Sequence, residues 1–418
     1  MAAADIVPDA PTVDHRDSLA RWGVIVAAGM FAVNLALPDT LDLPIKNLLR
    51  TELRLGRDEV SLFMSLAALP WYFKIVAGLL SDCFPLFGTR RRHYLIFGGT
   101  LAAVCWLIAG VVRHDYWPLL FALMATEAML VLISTVTAGL IVDAGKRLGA
   151  EGQLVTIRIM VESGCGIVAG PIAGLLAEQH FAWTGVAGAL IAFSVVPVVF
   201  LLLREAPGAR YEASVLRDAR VRLGELLRSR ALWCTAFFLV LCNAPQTFSS
   251  SLYFHQTEQL GFANIDIGYL NSISAIANVA TAASYGVMRA RLPLRMLLIA
   301  GISCGALAAL GFFFYRSWYA AIAIEIARGV LTTIGVLVLM EIAVRATPER
   351  VAAMGFALLM SAWNIGVSIG DYAGALAIET KVVTFYQLAL CFAALSILTL
   401  LAIPLLPRSV FVKSLIDG

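Results

Sequence analysis

Long apolar runs, each near twenty residues, alternate with short polar breaks along nearly the whole chain. A helix needs about 20 mostly apolar residues to cross the hydrocarbon core of a bilayer. Twelve runs qualify, starting near Trp22, Val60, Tyr94, Trp117, Gln153, Trp183, Leu232, Ile267, Leu294, Trp318, Val351 and Val383. The runs are continuous rather than alternating in polarity, so helices are expected and not barrel strands. The pattern thus predicts an all-α membrane protein of twelve transmembrane helices. Span 1 is expected to run past Pro38 and Pro44 towards Arg54, because Leu48, Leu49 and Leu53 keep a helical spacing.

Composition sharpens this picture. Of 418 residues 60% are hydrophobic and only 14% charged, whereas a soluble domain is nearer half apolar and a quarter charged. The net charge of +3 suggests no nucleic-acid partner. Asp5, Asp9, Asp14 and Asp17 lie in the first twenty residues, without an apolar core, so no cleavable signal peptide is expected. Twelve spans put both termini on one side, and Lys and Arg choose the side. With the termini in the cytoplasm, cytoplasmic segments hold 21 of these residues, outer segments hold 7, and Lys74, Arg158 and Arg328 lie inside spans. The expected location is therefore the plasma (inner) membrane, multi-pass, with cytoplasmic termini. Trp117, Trp183 and Trp318 then fall at the outer interface.

The longest connection, from Arg204 to Arg230, carries Val215, Leu216, Leu223, Leu226 and Leu227 at helical spacing among arginines. It reads as an amphipathic helix on the membrane face. It divides the chain into a tail (1–20), a six-helix half (21–203), a linker (204–230), a second half (231–406) and a tail (407–418). The halves look related. Gly166, Gly170 and Gly174 in span 5 recur as Gly366, Gly370 and Gly374 in span 11, and Asp143 and Glu341 close spans 4 and 10. Two parallel six-helix halves are the major facilitator plan, with the solute met between them near the midplane. The glycine rows by themselves indicate close helix packing.

An ionised group at membrane depth costs on the order of 3 kcal/mol, so it faces a partner or a water-filled cavity. The set here is Lys74, Glu127, Arg158, Glu162, Glu325, Arg328 and Asp371. Arg158 with Glu162 (i, i+4) and Glu325 with Arg328 (i, i+3) can pair on one helix face. Such pairs either hold helices in register or supply a cation for an anionic solute and a carboxylate for a coupling proton. Lys74 has no charged residue within one turn, so its partner is expected from another span, such as Glu127, or from the solute. Glu162, Glu325 and Asp371 are the proton-coupling candidates. Asp82 with Arg90 and Arg91, an acid at a helix end and basic residues opening the next, reads as a cytoplasmic gate. It reads equally as an inside-positive topology signal.

The seven cysteines lie in or beside apolar spans and form no CxxC pair, and the five histidines show no metal-ligand spacing. No cofactor is expected. No nucleophile constellation or phosphate-cradling loop is present, which argues against an enzyme and a nucleotide-driven pump. Coupling to an ion gradient, or plain facilitation, remains.

The stretch Pro70-Trp71-x2-Lys74-x3-Gly78-x2-Ser81-Asp82-x2-Pro85-x2-Gly88-x-Arg90-Arg91-x2-Tyr94 resembles the signature of spans 2–3 in the folate–biopterin transporter family, a branch of the major facilitator superfamily. A second resemblance covers Pro245, Phe254, Glu258, Leu260, Gly261 and Phe262, then Gly268-Tyr269-Leu270. The resemblance implies transport of folates or pterins with a proton, and makes Lys74 the signature lysine. The family tends to carry aspartates in span 4, where this chain reads Ser134-Thr135-Val136-Thr137. A pterin ring suits stacking on Trp71, Tyr72 or Trp363. Its amide-like edge suits Glu127 or Glu162, and a folate tail suits the forks of Arg158 or Arg328. Asn34, Asn243, Gln246 and Asn364 offer neutral hydrogen bonds, for a solute or between helices. The alternative keeps the fold and changes the cargo to another organic anion or drug. The expected partners are the small-molecule solute, the bilayer and a proton, with the protein a monomer.

Overall fold

The structure is a computed structural model and describes residues 19–38, 40–205, 211, 213–246, 248–347 and 352–411. Twelve helical spans follow one another: α1 (Leu19–Ala36), α2 (Arg57–Cys83, in three pieces), α3 (Arg92–Val111), α4 (Tyr116–Leu148), α5 (Glu151–Ala177) and α6 (Phe181–Leu202), then α7 (Arg230–Gln259, interrupted), α8 (Asn264–Arg291), α9 (Leu294–Gly311), α10 (Trp318–Ala346), α11 (Ala352–Glu379) and α12 (Phe385–Leu405). Among the described residues, nine of these are long and apolar enough to cross a membrane. The other three, α2, α8 and α11, run along the seam between the halves and carry its polar groups.

Prolines set the breaks. α1 stops at Ala36, and the Leu37 carbonyl takes the amides of Thr40 and Leu41. A separate helix, Asp42–Thr51, then begins with Pro44 in its first turn, where a missing N–H costs nothing. The expected continuation of span 1 to Arg54 is thus replaced by a turn and a new helix. α2 runs as Arg57–Ala67, Leu69–Tyr72 and Lys74–Cys83, because Pro70 has no N–H to continue the ladder and Phe73 is out of the helical region. α7 breaks at the 3₁₀ turn Ala244–Gln246 around Pro245. It resumes as Ser249–Phe254 and ends in a π turn, His255–Gln259.

Alternating direction puts the start of α1 and the end of α12 at one end of the bundle, here the proximal end. The opposite end is distal. A linker helix, Ala213–Arg228, joins α6 to α7 proximally. Its Leu226 is buried in a core of the second half with Leu232, Leu239 and Ile342. Tyr211, just before it, stacks on Phe84 at the end of α2, ring centroids 5.4 Å apart.

The halves meet distally. Tyr253 and Phe254 of α7 and Ile267 of α8 belong to the hydrophobic core of the first half. α5 and α8 touch through backbone: a Cβ on Gly170 would sit 2.2 Å from the Gly268 carbonyl oxygen. Towards the proximal end the same two helices part. Gly164 and Gly166 on α5 and Gly286 on α8 have no described atom within 4 Å of where a Cβ would stand. The cleft between the halves therefore opens proximally and is shut distally.

The two glycine rows both serve close packing but meet different partners. Gly170 and Gly174 face α8 of the other half, whereas Gly366 and Gly370 face α7 of their own half. A Cβ at Gly370 would lie 1.8 Å from the Ala244 carbonyl oxygen. Gly370→Ala is expected to cost about 1–3 kcal/mol by overpacking. Thermal unfolding of the purified protein checks this, and an unchanged melting temperature would refute the close approach.

Candidate functional site

Lys74 opens the last piece of α2, directly after the break at Phe73. Its Nζ donates to Ser134 Oγ of α4 at 3.0 Å and lies 4.8 Å from the centroid of the Trp71 ring. Trp71 Nε1 in turn donates to Glu127 Oε2 at 2.6 Å, and Glu127 is completely buried. The indole three residues back lies against the ammonium, as i and i+3 neighbours can. The expected partner Glu127 is thus reached through the indole, and the direct hydrogen bond goes to a hydroxyl. Ser134 is one of the residues standing where the resembled family tends to have aspartates.

Arg158 and Glu162 project from the proximal, open stretch of α5. They pair loosely at 3.7 Å, with side chains 38% and 49% exposed. Both lie close enough for their charges to act on Lys74. In the second half, Arg328 grips Glu325 at 2.6 Å, the carboxylate 1% exposed and the guanidinium one-third exposed.

The neutral candidates are mostly occupied locally. Asn243 donates to Leu239 O, Gln246 to Cys242 O and Asn34 to Met30 O, each four residues back. Trp363 packs against the core of the second half. Asn364 is half-buried on the next position. Tyr72 spans the seam, its hydroxyl meeting Ser65 O of its own span and Ser368 Oγ of α11.

Asp371 belongs to a distal seal. Ser61 Oγ of the first half donates to its Oδ2 at 2.6 Å, and Ser250 donates its hydroxyl at 2.6 Å and its amide at 2.9 Å. Lys46 reaches across to Ser249 at 2.7 Å while paired with Asp42 at 2.6 Å. These groups line a cavity of about 170 Å³ at the seam. Further out, Arg57 meets Glu258 at 3.3 Å and Glu379 at 3.1 Å, and its guanidinium lies over Phe254. The Asn264 amide donates to Glu178 at 3.0 Å. Of this seal, the sequence marked Asp371 as a buried charge and Glu258 through the family resemblance; the others are polar residues with no local pattern.

At the proximal end Arg91 pairs with Asp143 at 3.3 Å. The amides of Arg90, Arg91 and Arg92 converge on Glu205 at 2.8–3.1 Å. The Asp82 side chain, the expected gate partner, lies outside the described residues. The second half repeats the arrangement: Arg289 and Arg345 both hold Glu341 at 2.9 Å, with the Tyr285 hydroxyl donating to it. Asp143 and Glu341, which end α4 and α10, thus serve the same purpose in the two halves.

Twelve spans in two halves around a polar cleft give the chain the major facilitator fold, that of an integral multi-pass membrane protein, and its relatives are named as transporters, not enzymes. The chain belongs to the BT1 family, whose model matches residues 40–412. It is 25% identical over 382 residues to a folate-biopterin transporter of Synechocystis sp., a match covering 87% of this chain and 77% of that one. It is 23% identical to a probable folate-biopterin transporter 2 of Arabidopsis thaliana, covering 77% and 68%. A crystal structure of a mutant nucleoside transporter NupG superposes with a TM-score of 0.72 at 12% identity, covering 92% of this chain and all of that one.

Trp71→Phe keeps a ring beneath Lys74 but removes the donor to the buried Glu127 carboxylate. A hydrogen bond to a charged group is worth about 1.5–3 kcal/mol. The variant is expected to unfold at lower temperature, and Glu127→Gln in the same background to recover part of the loss. Scanning calorimetry or dye-monitored melting reads both.

Proposed function

We propose that this chain is a secondary carrier of folate- and pterin-type solutes, working by alternating access and coupled to a proton. We place it in the plasma (inner) membrane with both termini, and hence the open cleft, on the cytoplasmic side. The observation that carries this reading is the Lys74–Trp71 pair at the seam, with Arg158 nearby, in a member of a family whose relatives bear folate-biopterin transporter names.

The geometry ranks the binding groups. A folate tail needs a cation that can change partners. Arg158 is held loosely and wetted, so recruiting it costs little. Arg328 is held tightly by a buried carboxylate, and taking it would strand Glu325. The ammonium of Lys74 faces a hydroxyl rather than a carboxylate, and hence has attraction to spare for an anion. The Trp71 ring offers a flat surface for a pterin. Trp363, Asn364, Asn243 and Gln246 stand in the second half as secondary contacts.

Three carboxylates are candidates for the proton. Glu162 is open to the cleft, Glu325 is buried against Arg328, and Asp371 sits in the distal seal. Asp371 accepts three hydrogen bonds, one from across the seam. Protonation there removes an acceptor and loosens the seal, the coupling an acid-driven carrier requires.

In proteoliposomes, Lys74→Ala is expected to lower radiolabelled folate uptake at least about tenfold, the equivalent of 1.4 kcal/mol, with insertion and folding intact. Unlabelled folate should compete strongly with wild-type uptake. Full uptake by Lys74→Ala would remove the lysine from the mechanism, and absence of competition would reassign the cargo to another organic anion. Wild-type uptake should also rise as the pH on the distal side falls. Asp371→Asn, which cannot cycle a proton, should flatten that dependence; an unaltered pH profile would exclude Asp371 as the carrier of the proton.

A further inference from the structure

A second polar network lies inside the distal part of the second half, among the apolar side chains of Phe248, Leu270, Phe312 and Phe385. Arg328, one-third exposed, is bound to Glu325. The Tyr315 hydroxyl, fully buried, donates to the other oxygen of Glu325 at 3.5 Å. That same hydroxyl accepts from the Gln256 side-chain amide at 2.7 Å. Gln256 lies in the π turn His255–Gln259 that ends α7. Two residues further along this turn, Glu258 holds Arg57 of the first half. His255 fastens the same turn to the Tyr315 carbonyl at 3.0 Å and stacks on Phe385 at 4.0 Å.

We propose that Tyr315 and Gln256 are positioning residues that tie the state of the Arg328–Glu325 pair to the Arg57–Glu258 clamp of the distal seal. Glu325 is the pivot. A buried carboxylate that loses its cation is costly, so it leans on its remaining donor. That donor is Tyr315, and the Tyr315 hydroxyl is also the acceptor that orients the π turn. Any event that weakens the Arg328–Glu325 pair therefore pulls on the turn that carries Glu258. Buried polar networks of this kind respond as a unit, because every member is desolvated. A π turn is rare and often marks a functional position. By linkage, opening the clamp must in turn alter the grip of Arg328 on Glu325. The inference rests on the alternating-access reading but on no particular cargo.

The test needs no solute. Spin labels on Arg113→Cys and Val382→Cys, exposed positions at the distal end of the two halves, report distal opening by distance distributions in a background lacking the other cysteines. Glu325→Gln, which weakens the pair at nearly constant volume, is expected to raise the distal-open population about fivefold, the lower range for coupled sites. In a Tyr315→Phe or Gln256→Leu background the same substitution should have no further effect. An equal response in both backgrounds, or none in either while Arg57→Ala still opens the distal end, overturns the relay alone. A distal end that stays shut in every variant, including the double variant Arg57→Ala/Asp371→Ala that removes both parts of the seal, overturns alternating access and the relay with it. Should Glu325→Gln fold poorly, Arg328→Lys, which keeps the charge without the fork, serves in the same cycle. Melting temperatures of the variants separate a merely structural loss, which would lower stability without moving the labels.

Discussion

A charge in an apolar medium has to be held by another group, and that constraint shapes this molecule more than any other. Burying an isolated ion costs several kcal/mol even after relaxation, so each buried charge has acquired company. α2 breaks twice, and an indole lies beneath the Lys74 ammonium. Glu127 is reached by that indole, Glu325 by Arg328, and Asp371 by two serines from different halves. The pairings differ in tightness, and the difference divides structural from available charges. Glu325 is locked within the second half, while Arg158 and Glu162 stand loosely in the open part of the cleft.

The two ends of the seam are built on different principles. Distally, many modest contacts add up: serine hydroxyls on a carboxylate, one arginine between two half-exposed glutamates, and glycine-on-glycine backbone contact. An exposed ion pair contributes about 0–1 kcal/mol, so no single member of the seal makes it irreversible. Proximally, arginine–carboxylate clusters lie within each half, at Asp143 and at Glu341. They tie the ends of α4 and α10 to neighbouring helices of the same half. A seal of weak parts between rigid bodies is what a reversible movement of one half against the other demands.

Much of the fold was legible in the sequence because a bilayer imposes a length and a polarity on every span. The twelve runs, the duplicated glycine rows and the acids closing α4 and α10 all appear in the structure. The site was legible only where chemistry is unusual by itself, as with a lysine in an apolar run. Most of the seal was not legible because Ser61, Ser250, Arg57 and Glu379 are ordinary residues whose meaning comes from partners far along the chain. The Ser134 hydroxyl was noted only as a departure from a pattern, yet it is what Lys74 touches. Glu205, which gathers three consecutive backbone amides, lies in the stretch read as linker. The end of span 1 was misread because helical spacing of leucines persists across a turn when a second helix follows at once.

The connector between the halves is more than a passive thread. Leu226 is sunk into the second half, and Tyr211 lies flat on Phe84 at the foot of the first. A leash pinned at two points bounds the stroke of whatever it joins. The rod between those pins is the helix from Ala213 to Leu226, and its length sets how far apart they stand. Lengthening or softening that rod is thus a means of altering how firmly the halves are leashed to each other, quite apart from what the cleft grips.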